Sequence, residues 1–503
     1  MRRQILAMVF ALAMTAPAFA VERQVTGGIV EGQSLPDGGT IFRAIPFAQP
    51  PLGELRWKPP QPVQPWSGVR DATQTAPTCA QTYQGWNGNE TESSSEDCLY
   101  VEVQTPKHAP GAQLPVMVWI HGGSNRAGGG RDVAESPITR QGVILVTVQY
   151  RLGVFGFLSL PSLTAESPEH ASGNYGLMDQ IAALKWVRAN IAQFGGDPNN
   201  VTVFGESAGA QDVGLLILSP LARGLFRRAI EESGTAGFGV PPRSLAENEK
   251  IGADFLTLLG LPSGETGLSA LRRVPTGALL AAGDRLVPAP SVDPDFLWLQ
   301  AVVDGWVLPH TPADILSSKD EAPVPLIVGT NAREFTVVGA RDYPRRWIGE
   351  NADDAQQALA FYGLTSDTPP GADPVYGDLA ERLSTDVILR CPSNWVADHQ
   401  AAVTSKVWRY QFSVEAPSTV GPVAHAGELN YVFLKSPKGA TFGAWPPLQA
   451  YWTNFAKTGD PNGPGLPHWP SFGTQQHYID FTDHGVAQGT GLRAQACRFF
   501  RGP

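Results

Sequence analysis

The chain has little cysteine: four residues in 503, at Cys79, Cys98, Cys391 and Cys497. Their spacing makes neither a CxxC pair nor a zinc knuckle, and nine histidines include no HExxH. No structural metal is expected from such a pattern. After the first twenty residues no apolar run approaches the ~20 residues that a membrane-spanning helix requires. There is no internal repeat, no low-complexity tract and no long Pro/Ser linker, which argues against solenoids and strings of small modules. Positive charge is also in deficit, with 37 Lys and Arg against 47 Asp and Glu, a net of −10. Taking away Arg2 and Arg3 with the leader described next leaves 35 against 47, or −12. That sign opposes binding to nucleic acid or to an anionic membrane surface.

Residues 1–20 read as a secretory signal. Arg2 and Arg3 give a basic start, "ILAMVFALAM" is a short apolar core, and small residues end at Ala20, where cleavage is expected. The mature protein is thus expected to be secreted or periplasmic. An even cysteine count in an exported chain favours disulfides, and three pairings are open. The remaining residues, 21–503, read as one α/β domain with long insertions, because strand and helix patterns alternate throughout.

Two continuous apolar runs, 116–120 and 143–149, have the look of strands buried on both faces of a parallel sheet. From Leu177 to Phe194 apolar residues recur at helical spacing, and Gly195-Gly196 stop the pattern. Asp197-Pro198-Asn199 reads as a turn, and "VTVFG" as the next strand. This is a βαβ pattern. Residues 324–330 and 406–412 are further strand candidates, and 236–323 read as helical insertions.

The stretch "TVFGESAGAQDVG" (202–214) places Ser207 between Gly205 and Gly209 where a strand becomes a helix. A sharp turn there pushes the hydroxyl above the sheet, and glycines leave room for close backbone. The Ala208 N–H, at a helix N-terminus, would face a developing oxyanion. Serine is a weak nucleophile and needs a base, which in turn needs an orienting acid. "WIHGGSNRAGGG" follows the strand at 116–120 and could supply further backbone donors.

These blocks, with "FRAIPFAQPPLGELRWKPPQP", "SEDCLYVEVQTP" (95–106), the whole of 173–210 and "YWTNFAKTGDPN" (451–462), closely resemble the type-B carboxylesterases. That is the α/β-hydrolase family that includes cholinesterases and several lipases. The resemblance runs over nearly the whole mature chain. It implies an α/β-hydrolase fold, a mostly parallel sheet flanked by helices, and a serine esterase of small-molecule esters that needs no cofactor.

Residue by residue, the resemblance implies Ser207 as nucleophile, Glu334 as acid and His425 as base, in the chain order this fold uses. Asp304 and Asp314 are rival acids by order alone, and His310 and His399 rival bases, but only Glu334 and His425 fall in matching segments. Glu334 could also be a loop carboxylate paired with Arg333. The family usually has Asp-Glu-Gly where this chain has Arg333-Glu334-Phe335. The oxyanion loop maps to Gly122, Gly123 and Ser124, the last replacing a common glycine, and Ala208 completes the hole.

Ser233 matches a serine that supports the triad, with a capping role as the other reading. Trp86 falls in the loop where cholinesterases carry a cation-binding tryptophan. That loop differs in length here, so lining or covering the site is the alternative. Disulfides Cys79–Cys98 and Cys391–Cys497 and an Arg56–Glu96 ion pair are implied in the same way. Two other readings stand beside ester hydrolysis: a catalytically silent adhesion protein, which the retained triad disfavours, and acyl transfer to an alcohol.

Overall fold

The computed structural model describes residues 20–237, 241–286, 299–334, 336, 343–366, 368, 370–415, 423–436 and 445–500. The expected leader lies outside them except for Ala20, and so does Phe335. In chain order the strands are β1 (Ala20–Val25), β2 (Gly28–Ser34), β3 (Thr40–Pro46), β4 (Val69–Asp71) and β5 (Tyr100–Thr105). Then come β6 (Leu114–Ile120), β7 (Ile144–Val148), β8 (Gly196–Glu206), β9 (Arg228–Glu232) and β10 (Arg243–Ser244). The last are β11 (Val302–Val303), β12 (Leu326–Asn331), β13 (Val407–Ser413), β14 (His477–Thr482) and β15 (Gly485–Thr490).

Thirteen of these form one sheet in the order β1-β2-β3-β5-β7-β6-β8-β9-β12-β13-β14-β15, with β4 beside β2. From β7 to β14 every neighbouring pair is parallel, while β1–β2, β2–β3, β3–β5, β5–β7 and β14–β15 are antiparallel. The parallel centre is buried on both faces, as its apolar strands require. Alternate residues of one strand serve opposite sides. Val116, Val118 and Ile120 of β6 join the cluster containing Leu177, Ile181, Leu184 and Val187. Met117 and Trp119 of the same strand join Tyr451, Trp452 and Phe455.

The helix expected over 177–194 is Tyr175–Asn190 followed by a tighter turn, Ile191–Phe194, closed by Gly195 at φ 83°. It is buried nearly all round, not along one stripe, and its inward charge, Asp179, is matched by Arg151 at 2.8 Å. Asp197-Pro198-Asn199 lies inside β8 and does not precede it. The strand is irregular there, with a register shift opposite Leu114 and Val116, and the Asn199 N–H donates to Asp197 Oδ1 at 2.9 Å. Turn chemistry and ladder therefore coexist. In the expected insertion region, helices occupy Leu245–Leu258, Gly264–Leu271, Thr276–Gly283 and Pro312–Ser318, beside the small β10–β11 ribbon.

Disulfides join Cys79 to Cys98 and Cys391 to Cys497. Arg56 grips Glu96 with two hydrogen bonds of 2.6 and 2.5 Å, largely shielded from solvent. Among the described residues no helix is long and apolar enough to cross a membrane.

Candidate active site

The parallel strands end together, and the chain segments that leave β8, β12 and β13 meet above them. β8 stops at Glu206, and the helix Ala208–Leu218 begins at once. Ser207 makes this turn alone, at φ 56° and ψ −125°, a conformation that L-residues rarely adopt. The crowding explains both glycines. A Cβ on Gly209 would lie 2.2 Å from the Ile120 carbonyl oxygen, and one on Gly205 would lie 2.6 Å from the Gly209 backbone. The Ser207 N–H donates to the Glu232 carbonyl at 2.9 Å, tying the turn to the end of β9.

His425 follows β13 and brings its ring to the serine. Nε2 is 2.9 Å from Ser207 Oγ, and Nδ1 is 2.7 Å from Glu334 Oε2. The backbones are tied too, the His425 N–H donating to the Glu334 carbonyl at 3.1 Å. The other oxygen of Glu334 accepts the Asn331 N–H at 2.7 Å, and the Glu334 N–H donates to Thr385 Oγ1 at 3.2 Å. Arg333 turns away and meets Glu415 at 2.7 Å, so Glu334 is not its partner. With a carboxylate accepting at Nδ1, the tautomer leaves Nε2 free to take the serine proton.

A further carboxylate stands beside this trio. Glu206 Oε1 is 3.2 Å from His425 Nε2. Burial opposes charge on His425, but the Glu206 carboxylate, the hydrogen-bonded Glu334 and the nearby Glu428 outweigh it and raise the imidazole above the ordinary histidine value. Glu206 is itself pushed up to about 7 by burial, with His425 drawing it down and Glu334 driving it up.

The loop after β6 forms the facing wall. A Cβ on Gly122 would fall 2.7 Å from the Glu206 carbonyl oxygen and 3.0 Å from Ser207 Cβ, so only glycine lets the loop lie this close to the serine. Gly123 (φ 103°) and Ser124 (φ 58°) both have positive φ. Among the described residues, the N–H groups of Gly123, Ser124 and Ala208 have no hydrogen-bond partner. The loop is held from behind. His121 stacks on Tyr150 with ring centroids 4.4 Å apart, and its Nδ1–H donates to the Gly122 carbonyl at 2.8 Å. Burial pushes His121 down to about 4, so this ring stays neutral. Asn125 Nδ2 donates to Asp212 at 3.1 Å, Gln180 donates to the same carboxyl at 2.5 Å, and Tyr150 O–H donates to the Asn125 amide oxygen at 3.1 Å.

Ser207 and His425 open into a cavity of about 570 Å³ whose walls include Trp86, Trp119, Val133 and Leu429, with Glu90 and Glu206 as its carboxyl side chains. Trp86 is 61% exposed yet presses on the oxyanion loop, since a Cβ on Gly123 would meet its ring at 3.1 Å. Ser233 is fully buried at φ 52°, donates its N–H to the Gly329 carbonyl at 2.9 Å and is not part of the cavity wall. It lies behind the turn, at the end of β9.

The rivals lie elsewhere. Asp304 accepts two backbone N–H groups of its own turn, Asp314 belongs to a helix cap with Thr311, and His399 bonds the Trp395 carbonyl. His310 is exposed just before the Pro312–Ser318 helix and, like the other three, is absent from the cavity wall. Sequence reasoning passed over Glu206, His121, Asn125, Asp212 and Gln180. The available signal was a set of polar residues inside otherwise apolar blocks, of which Gln180 and Asp212 turn inward from their helices.

The chain is similar to known proteins over nearly its whole length. The carboxylesterase family model matches residues 20–500. A fumonisin B1 esterase of Sphingopyxis macrogoltabida is 33% identical over 504 residues, covering 95% of this chain and 89% of the relative. A human cocaine esterase is 35% identical over 529 residues, covering the same shares, 95% and 89%. A solved PNB esterase superimposes with a TM-score of 0.81 at 31% identity, covering 94% of this chain and 98% of the other.

Proposed function

The chain belongs to the carboxylesterase family, has the α/β-hydrolase fold and hydrolyses carboxylic esters as a serine hydrolase, and we propose that Ser207, His425 and Glu334 carry that reaction. The observation behind the assignment is the continuous relay from Ser207 Oγ through His425 to Glu334, at 2.9 and 2.7 Å. His425 Nε2 takes the hydroxyl proton as Ser207 Oγ attacks the ester carbonyl carbon. The N–H groups of Gly123, Ser124 and Ala208 receive the tetrahedral oxyanion, and Gly122 gives the room for that approach. His425 then protonates the leaving alcohol. Water, deprotonated by the same ring, attacks the acyl-enzyme and releases the acid, with the proton returned to Ser207. Glu334 fixes the tautomer and stabilises the imidazolium.

The substrate is a small-molecule ester held between the apolar cavity wall and the oxyanion loop. Trp86 lines its mouth. Ser233 acts by supporting the turn from behind. Residues 21–503 act as one domain, and residues 1–20 direct it out of the cytoplasm and are cleaved off. The two disulfides support that location, since such bonds persist in oxidising compartments.

The test is a panel of chromogenic esters that varies acyl length and alcohol bulk separately, run on the parent protein and on Ser207→Ala. Turnover should fall by roughly 10⁶ in the variant, as expected when a nucleophile of this type is deleted, with unchanged thermal unfolding. A folded Ser207→Ala protein that turns over at the parent rate would refute the assignment.

A further inference from the structure

The opposite ends of the same parallel strands carry a second, polar cleft. β8 runs from the level of Asn200 to Ser207, seven residues or ~23 Å at strand rise, so the two ends are well separated. The cleft has a volume of about 740 Å³, and Arg188, Arg223, Arg227, Arg228 and Lys406 are on its wall. Arg228 opens β9, Lys406 immediately precedes β13, and Arg188 lies in the last turn of the helix Tyr175–Asn190. Three parts of the fold therefore aim cations at one space.

These charges are mostly uncompensated. Arg223 bonds Asp320 at 2.8 Å. Among the described residues the other four have no carboxylate partner: the side chain of Arg188 donates to the Gly224 carbonyl, that of Arg228 to Asn200 Oδ1 and the Ala456 carbonyl, and those of Arg227 and Lys406 to nothing. Glu321 is on the wall too, but its strongest charged neighbours are His399, Asp320 and Lys319. Burial and then the like charge of Arg227 make the cationic form of Arg228 less favourable. Four cations without a carboxylate partner, Arg188, Arg227 and Lys406 exposed and Arg228 half-buried, therefore converge on one cleft, where a bound anion would accept from several of them at once.

We propose that this cleft binds a polyanion of the phosphate class, a molecule with two or more neighbouring phosphate groups. One carboxylate would leave most of the charge unanswered. Tetrahedral phosphate oxygens can accept from several guanidinium planes and an ammonium at once. The site is separate from ester hydrolysis, so its occupancy should leave turnover unaltered.

The experiment is isothermal titration of the full mature protein with tripolyphosphate, with citrate as a carboxylate control, beside the double variant Arg227→Ala/Lys406→Ala. Both side chains are exposed and unpartnered among the described residues, so folding and esterase turnover should be kept. The parent should bind tripolyphosphate at a single site, more tightly than citrate, with affinity falling as salt is added. The variant should bind at least about tenfold more weakly, the scale expected for lost hydrogen bonds to charged groups. Co-sedimentation with phosphatidylcholine vesicles containing phosphatidic acid separates the sources: pelleting that the variant loses assigns a lipid-borne phosphate, and no pelleting with tripolyphosphate binding intact assigns a free one. No binding by the parent, equal binding by the variant, or tighter binding of citrate would overturn the proposal.

Discussion

Around Ser207 the chain is held by backbone crowding. Gly122, Gly205 and Gly209 each stand where a Cβ would come within 2.7 Å of a neighbouring backbone oxygen. Around Glu334 it is held by side chains. Thr385 accepts the Glu334 N–H, and Arg390 donates to the Ala332 carbonyl at 2.7 Å. Arg390 also pairs with Asp386, which Arg493 and the Tyr362 hydroxyl join. Despite complete burial, Asp386 is held below the usual carboxylate value by those two arginines. Residues 385–390 form a π-helix, an uncommon element that often marks functional sites, and the next residue is the disulfide-bonded Cys391. Crowding also works between distant segments, Ile120 against Gly209 and Glu206 against Gly122, but it leaves glycines as its trace. A side-chain network draws on partners more than 50 positions away and leaves no local trace.

The comparison can be broken first at the acid. Glu334→Gln keeps the shape but cannot stabilise an imidazolium, and its amide can present a donor to Nδ1. Turnover should fall by about 10⁴, as when a triad carboxylate is replaced by its amide, with the unfolding midpoint little changed. Steady-state kinetics beside urea unfolding would check this.

Arg390→Met attacks the support and not the chemistry. It leaves the buried Asp386 with Arg493 as its one cation, beside the Tyr362 hydroxyl, and strips donors from the loop carbonyls. Breaking a buried pair costs about 3–5 kcal/mol, so the urea midpoint should drop clearly. The fraction still folded should hydrolyse esters more slowly through lower kcat, because the acid loop is no longer fixed.

Glu206→Gln sharpens the electrostatic side. His425 must be neutral to accept a proton. The Glu206 carboxylate favours the charged ring, so it holds the acid limb of kcat/KM above the ~6.5 of a free histidine. Removing that charge lowers the His425 pKa and should move the limb to lower pH. A limb that stays in place would mean Glu206 does not act on the ring. The smallest effect is expected for Ser124→Gly. Ser124 already stands at φ 58°, where glycine is at ease, and its N–H is retained. Activity should stay within a few-fold, with bulkier esters gaining; Ser124→Ala, which deletes only the hydroxyl, should behave alike.

The fold's centre was legible because buried parallel strands must be continuously apolar, as at Val116–Ile120 and Ile144–Val148. Ser207 was legible because its turn demands the two glycines. Glu334 and His425 were located by family resemblance alone; nothing local distinguishes them from Asp304 or His399. Asp197-Pro198-Asn199 misled because its side chains close a turn while its backbone stays in the ladder. Glu206 and Asp212 were in view within "GESAGAQD", yet their effect depends on burial and on distant partners. A histidine read from sequence alone would titrate near ~6.5; the carboxylates gathered by folding raise it.

The most direct measurement is covalent trapping of the nucleophile. The parent protein is treated with an organophosphate at neutral pH, and the modified peptide is mapped by mass spectrometry. A single adduct on Ser207, formed in step with loss of esterase activity and absent from Ser207→Ala, is the predicted result. An adduct on another serine, or full inactivation with Ser207 unmodified, would contradict it.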